Sequence, residues 1–435
     1  MSLIPKSRWS IKNNEILLGT ISAFVVKIVS AAGMFFLNVL VARYLGVEQA
    51  GIFFLSQAIC IVLANITRQG YDNALIRFIA GYRIEGDTKT ISELVQYVGI
   101  RVLIASLFTA ALVFLLSPFL SEHIFEKKEL DQTLKIAAWL IVPLSLSQLI
   151  GFCFQGLKKV VFGMLYQSCL LVIISVFSII IFSPEDAESL MRIYVVCSLS
   201  VASLAVYQWN KAIPVRISTL HEDDKKSINK VIGPLFFILL LNQTTQWAGQ
   251  LMLGAWSSTA DVALFAAAQR TAMLISFVLI AVNAIAAPRF AEAFKQNRPN
   301  EIKQVALSSS RLMTAAAIPI LIFIIVFAPW LMGLFGSDFV DGSNILRILV
   351  IGQFVNVITG SVGYLLQMTA NEKTLRNNML ISSFIFVVGS VIAIPLYGVL
   401  GAAVVTAVAI ATQNLLCVYQ VKKTLGFNTL SIFSR

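Results

Sequence analysis

Carboxylates are scarce where this 435-residue sequence is most apolar; Asp72 is the one acidic residue that falls well inside an apolar run. That scarcity argues against a chamber built to hold cations. Cysteine is equally sparing. The five present (Cys60, Cys153, Cys169, Cys197 and Cys417) all lie in apolar segments with no CxxC spacing, so neither a disulfide framework nor a metal site is indicated. The two histidines, His123 and His221, sit in loops and give zinc or imidazole chemistry nothing to build on. No soluble domain is visible, and the longest outer loop, near 118–132, is too short to house a catalytic site. This excludes a membrane-bound glycan polymerase or ligase, and no cofactor is implied. The basic N-terminus lacks a small-residue cleavage motif. Its first apolar stretch, about 24 residues, exceeds a signal-peptide core and is expected to stay as a helix.

What the sequence has in abundance is apolar length. Hydrophobic residues make up 58% and charged residues 13%, and runs of about 20 residues, enough to cross a hydrocarbon core of about 30 Å, recur throughout. The pattern predicts an all-α membrane protein with twelve spans, at 16–40, 51–76, 93–117, 133–157, 160–182, 190–209, 232–253, 262–287, 304–328, 344–368, 377–396 and 399–421. Lys and Arg gather in every second loop, as at Lys158–Lys159, Lys225–Lys226 and Lys422–Lys423. The alternate loops hold Arg43, Lys127 and Lys128 beside acids such as Glu185, Asp186 and Glu188. By the positive-inside bias both termini are cytoplasmic. The net charge of +11 then reports topology, with no nucleic-acid partner.

A repeat runs through the chain. Phe53, Gln57, Ala74, Arg77 and Phe78 return 212 positions later as Phe265, Gln269, Ala286, Arg289 and Phe290, and Gly151 and Gln155 return as Gly363 and Gln367. An offset spanning six helices preserves orientation, so the halves are parallel repeats about an axis along the membrane normal. The expected architecture is an N-terminal six-helix lobe (1–209), a polar, solvated cytoplasmic linker (210–231) and a C-terminal six-helix lobe (232–435) around a central cavity. Pro143, Pro288, Pro319 and Pro395 mark places where a helix could kink.

Ionisable side chains at mid-depth should face protein or water rather than lipid. Lys27 lies about 16 Å into its helix at 1.5 Å per residue, on a stripe with Thr20, Ala23, Ser30, Ala31, Met34 and Asn38. Arg270 follows Ala263, Ala266 and Ala267 on an interior-type face. Gln57, Ala64, Arg68 and Asp72 share another stripe, where Arg68 either lines a cavity or pairs with Asp72 at i,i+4. In LNQTTQWAGQ, Asn242, Thr245, Gln246 and Gly249 fall on one face, widened by Gln243 and Gln250. Such amides bind sugar hydroxyls or tie helices together. The substrate-facing residues expected from these patterns are Lys27, Gln57, Arg68, Asn242, Gln246 and Arg270, with Asp72 as a candidate for ion coupling. The chamber they predict is polar and cationic, suited to an amphiphilic anion with a phosphate head and a lipid tail.

The stretches VARYLGVEQAGIFF (41–54), ITRQGYDNALIRFIAG (66–81), LMLGAWSSTADVALFAAAQR (251–270), AVNAIAAPRFAEAF (281–294), LFGSDFVDGSNILRIL (334–349) and GSVGYLLQMTANEK (360–373) resemble bacterial polysaccharide flippases of the Wzx type. These belong to the multidrug/oligosaccharidyl-lipid/polysaccharide exporter superfamily, and the likeness covers nearly the whole chain. It implies a MATE-like fold in the bacterial inner membrane. It also implies movement of undecaprenyl-diphosphate-linked oligosaccharides, such as O-antigen units for lipopolysaccharide, by alternating access coupled to H⁺ or Na⁺. A polysaccharide polymerase and a chain-length protein are the partners implied. The alternative within the superfamily is a multidrug or small-solute cation-coupled antiporter, though drug exporters commonly use intramembrane carboxylates. Twelve spans argue against the peptidoglycan-precursor branch, which usually has fourteen.

Overall fold

The computed structural model describes residues 7–214, 220–369 and 371–430. Every regular element among them is helical. In a bilayer the backbone has no water to bond, and a helix satisfies its own amides internally. The outward faces carry large apolar side chains (Phe108, Leu115, Ile181 and Phe384), each about 70% exposed. The interior combines large apolar side chains such as Phe53, Phe265 and Phe386 with hydroxylated ones, including Ser106, Ser117, Ser145, Ser198 and Ser382. Apolar groups on the outside as well as the inside are what a lipid solvent selects.

Eight helices among the described residues are long and apolar enough to cross a membrane, or nine if one bent pair counts as a span. The two longest, of 54 and 43 residues, are each long enough for two crossings. Glu372–Leu425 runs 54 residues but loses helical geometry at Gly398, where φ is 55° and ψ −134°. The Ser382 hydroxyl donates to the Ala409 carbonyl at 2.7 Å, and a Cβ on Gly389 would press Val405 at 3.0 Å. Residues 27 positions apart in an unbroken helix would be separated by about 40 Å. The chain therefore reverses at Gly398, and this element is an antiparallel helical hairpin. Ser7–Thr67 also loses helical geometry at Gly46 (φ 71°, ψ 175°), between the predicted spans 16–40 and 51–76.

Other breaks have local causes. Leu130–Ala138 and Ile141–Gly156 meet at 41°. The proline ring of Pro143 collides with the carbonyl four residues back, that of Trp139, which places the bend at Trp139–Leu140. Pro319 and Pro395 lie inside helices that continue through them. The predicted span 262–287 is divided by a 3₁₀ turn at Met273–Ser276. The span 344–368 is divided at Thr359–Ser361, where Gly360 takes φ 82°.

By contacts the described chain forms two compact units. One comprises the chain up to Leu40, Ile59–Ser121 and Lys128–Leu239; the other comprises Val41–Ala58, Glu122–Lys127 and Leu240 onward. The first unit holds the described part of the expected linker, 210–231. A helix, Glu222–Trp256, begins inside it, and the Tyr82 hydroxyl donates to Asp224 at 2.5 Å. Residues 215–219 lie outside the described part.

Three helix N-termini among the described residues are capped by side chains, those of Asp87, Asp186 and Ser258. Asp87 caps Thr88–Phe119, accepting from the Thr90 hydroxyl at 2.5 Å and its backbone N–H at 2.9 Å. Those bonds, the hydroxyl's foremost, hold the Asp87 carboxyl below its ordinary pKa. A folded-state pKa below the unfolded value of about 3.9 means stability present above that pH and lost as pH falls through the depressed folded value. Asp87→Ala should therefore cost about 1 kcal/mol at pH 7, and Asp87→Asn much less. Thermal unfolding in detergent should show the alanine deficit shrinking as the medium is acidified; a deficit independent of pH would remove the carboxylate from the account.

Candidate functional site

A cavity of about 900 Å³ lies in the second unit. The Glu222–Trp256 helix supplies Asn242, Thr245, Gln246, Trp247 and Gln250, mostly at the three- and four-residue steps of a single face. Gly249, expected on that face, instead faces Phe265 and Thr406: a Cβ added there would meet the Phe265 ring at 3.1 Å. Its lack of a side chain brings the Phe265 ring close to the helix backbone.

Thr259–Ala272 brings Gln269 and Arg270 to the cavity. Ala263, Ala266 and Ala267 below them are fully buried, so the alanine face seats the helix while Arg270 reaches the opening half-buried. Its Nη2 donates to Gln57 Oε1 at 3.1 Å, and its guanidinium lies 4.3 Å from the centre of the Phe54 ring, within cation–π range. Gln250 Nε2 donates to the Phe54 carbonyl at 2.7 Å, and Gln269 Nε2 to the Gln246 carbonyl at 3.2 Å. Gln57 is fully buried behind Arg270 and fixes its direction.

The 3₁₀ turn after Arg270 swings the chain around the cavity, contributing Met273 and Ser276, and Asn283 follows one helix later. Ser276 Oγ donates to Gln353 Oε1 at 2.8 Å. Asn356, Tyr364, Gln413 and Asn414 complete the polar wall. Among the described residues that line this cavity, Arg270 alone carries a charge, and no carboxylate appears.

Four of the residues expected from sequence thus converge here: Gln57, Asn242, Gln246 and Arg270. The other three lie in the first unit. Arg68 and Asp72 are both buried and paired, Nε to Oδ1 at 2.8 Å and to Oδ2 at 3.1 Å. Arg68 also donates to the Ala64 carbonyl and to Asn65 Oδ1. Of the two outcomes open to that spacing, the i,i+4 pair is the one formed, at the edge of a small cavity of about 140 Å³. Lys27 is exposed on the Ser7–Thr67 helix. Of its predicted stripe, Asn38 is buried and donates to the Met34 carbonyl, while the side chains of Thr20 and Ala23 lie outside the described part. Asn283, Gln353, Asn356, Gln413 and Asn414 were not expected. They carry no charge, and a search for ionisable groups at membrane depth passes over them.

The family model described as "Polysaccharide biosynthesis protein" matches residues 16–294, and the MatE model matches residues 234–396. A "Probable low-salt glycan biosynthesis flippase Agl15" from Haloferax volcanii is 25% identical over 199 residues, 46% of this chain and 40% of that protein. The matched region therefore spans two fifths of that curated relative's length. Among solved structures, a lipid II flippase MurJ in an inward closed conformation superposes with a TM-score of 0.75 at 16% identity, covering 93% of this chain and 87% of the other. An inward-facing multidrug resistance MATE family transporter gives 0.70 at 16% identity, covering 96% and 100%. The fold is MATE-like.

Proposed function

The chain belongs to the polysaccharide biosynthesis protein family, and we propose that it is a flippase for undecaprenyl-diphosphate-linked oligosaccharides in the synthesis of a surface polysaccharide. One observation carries this reading: among the described residues, the cavity of about 900 Å³ has a wall of amides and one cationic lining residue, Arg270, with no lining carboxylate. A diphosphate desolvated between apolar helices needs a charged donor, because burying an unpaired charge is costly. Sugar hydroxyls leaving water need replacement partners, which amides supply as both donors and acceptors. The polyprenyl tail stays in lipid.

On this reading the two repeats form twelve spans in parallel lobes, 1–209 and 232–435, with both termini cytoplasmic in a bacterial inner membrane. Rocking of the lobes, driven by an H⁺ or Na⁺ gradient, moves the head group past a midplane site. A polymerase and a chain-length protein then take up the product. Arg270 and the exposed Lys27 attract the anionic head. The Arg68 charge is matched by Asp72, so that pair fits a structural or ion-coupling part better than head-group binding.

The glycan name of the Haloferax relative supports the substrate class; the MatE match keeps a drug antiporter as the rival. Deletion of the gene should abolish the surface glycan and build up its lipid-linked precursor in the inner leaflet, with recovery on complementation. Normal surface glycan in the deletion strain, together with new drug sensitivity, would establish the antiporter instead.

A further inference from the structure

The first unit has a groove of about 430 Å³ that shares no lining residue with the Arg270 cavity. Ala105 and Phe108 of the helix Thr88–Phe119 line one side, and Ile232, Gly233 and Phe236 of Glu222–Trp256 line another. Both sides run on, towards the helix starts, into polar and cationic groups. Tyr97, Arg101, Ala105 and Phe108 follow one another at helical steps of four, four and three, and Lys225, Asn229, Ile232 and Phe236 at four, three and four. Arg101 ties the two stripes together. Its Nη1 donates to Asn229 Oδ1 at 3.3 Å and to the Tyr71 hydroxyl at 3.1 Å, and its guanidinium lies 4.4 Å from the centre of the Tyr97 ring. Lys225 lies 5.8 Å from the same ring and also bonds Glu222 at 2.8 Å. Arg101 is exposed, and among the described residues these partners are all neutral.

We infer that this groove binds one anionic phospholipid, with an acyl chain between Phe108 and Phe236 and the phosphate at Arg101 and Lys225. Charge selects the occupant. A phosphodiester brings one negative charge to a mouth with one cation lacking an acidic partner, Arg101, and one shared with Glu222. A diphosphate carrier would bring further charge with nothing to meet it. A neutral lipid would leave Arg101 beside hydrocarbon with neutral partners alone, a costly place for a cation. Free phosphate would leave the apolar length empty. Gly233 keeps that length open. It stands in the interior of a helix, where glycine is weaker than alanine, and a Cβ added to it would meet nothing within 4 Å.

The test uses the full-length protein in detergent, with bound lipid counted by native mass spectrometry. The probes are phosphatidylglycerol and a diacylglycerol of the same chains. The wild type should bind the first about tenfold more tightly or better, the worth of one hydrogen bond to a charged group. Arg101→Gln should collapse that ratio towards one. Gly233→Leu should fold, since it strengthens the helix, yet bind both lipids about five- to a hundredfold more weakly because its side chain fills the groove. Lys230→Gln, an exposed cation outside both stripes, should bind as the wild type does. Equal binding of the two lipids by the wild type, or a ratio that survives Arg101→Gln, would remove the phosphate from the site. Unchanged binding by Gly233→Leu would remove the chain from the groove. Displacement of phosphatidylglycerol by less than equimolar polyprenyl diphosphate would hand the groove to a carrier lipid and overturn the phospholipid.

Discussion

Arg270→Glu is expected to abolish surface-glycan export, and Arg270→Ala to lower it by about ten- to a hundredfold at equal amounts of membrane-inserted protein. The range follows from the roughly 1.5–3 kcal/mol that a hydrogen bond to a charged group is worth, at 1.4 kcal/mol per tenfold. Fold stability should suffer less than transport. The contacts of Arg270 include a neutral amide, Gln57, and the Phe54 ring. Arg68 offers the contrast. Arg68→Ala leaves Asp72 buried without its ion-pair partner, a change that typically costs 3–5 kcal/mol, and should be read as lost protein rather than lost transport. For the exposed Lys27, Lys27→Arg should keep more export than Lys27→Gln, with Lys27→Glu worst. Full export by Arg270→Ala and Lys27→Glu would show that neither charge meets the substrate.

The helices were legible because lipid leaves the backbone no alternative. Apolar runs of spanning length and Lys/Arg asymmetry carry that information without any knowledge of packing. The breaks at Gly46 and Gly398 were legible because the apolar pattern on either side exceeds one crossing. The break at Met273–Ser276 was not, since its residues (Met-Leu-Ile-Ser) contain neither glycine nor proline and read as continuous helix. Arg270 and Gln57 stood out as polar groups at membrane depth, and Gln57 through its repeat partner Gln269. The neutral wall did not, because Asn283 comes from one helical segment and Gln353 and Asn356 from another, and their convergence is a tertiary fact. Arg68 shows a third limit: an i,i+4 acid and base can pair or part, and the spacing alone does not choose.

Gly51→Ala is expected to release the segment that holds Arg270, although it adds only one methyl group. A Cβ at Gly51 would fall inside the contact radius of the Thr259 carbonyl oxygen and 2.6 Å from its carbon. That obstacle is backbone at the first turn of a helix, pinned by the Ser258 hydroxyl accepting from Asp261 N–H at 3.1 Å, so it cannot step aside. At Gly254 an added Cβ would meet only the methyl end of Leu55, at 2.5 Å, which a rotamer change relieves. Gly254→Ala is thus the matched mild control. The segment that Gly51 allows to approach carries Phe54 and Gln57, and Arg43 at its start donates to the Leu334 carbonyl at 2.7 Å. Overpacking of this kind costs about 1–3 kcal/mol, enough to move a two-state equilibrium roughly five- to a hundredfold. Cysteines placed at 43 and 334 should cross-link readily in the parent and in Gly254→Ala, and several-fold less in Gly51→Ala, whose glycan export should fall in parallel. Undiminished cross-linking and export in Gly51→Ala would mean that the close approach contributes nothing to how Arg270 is held.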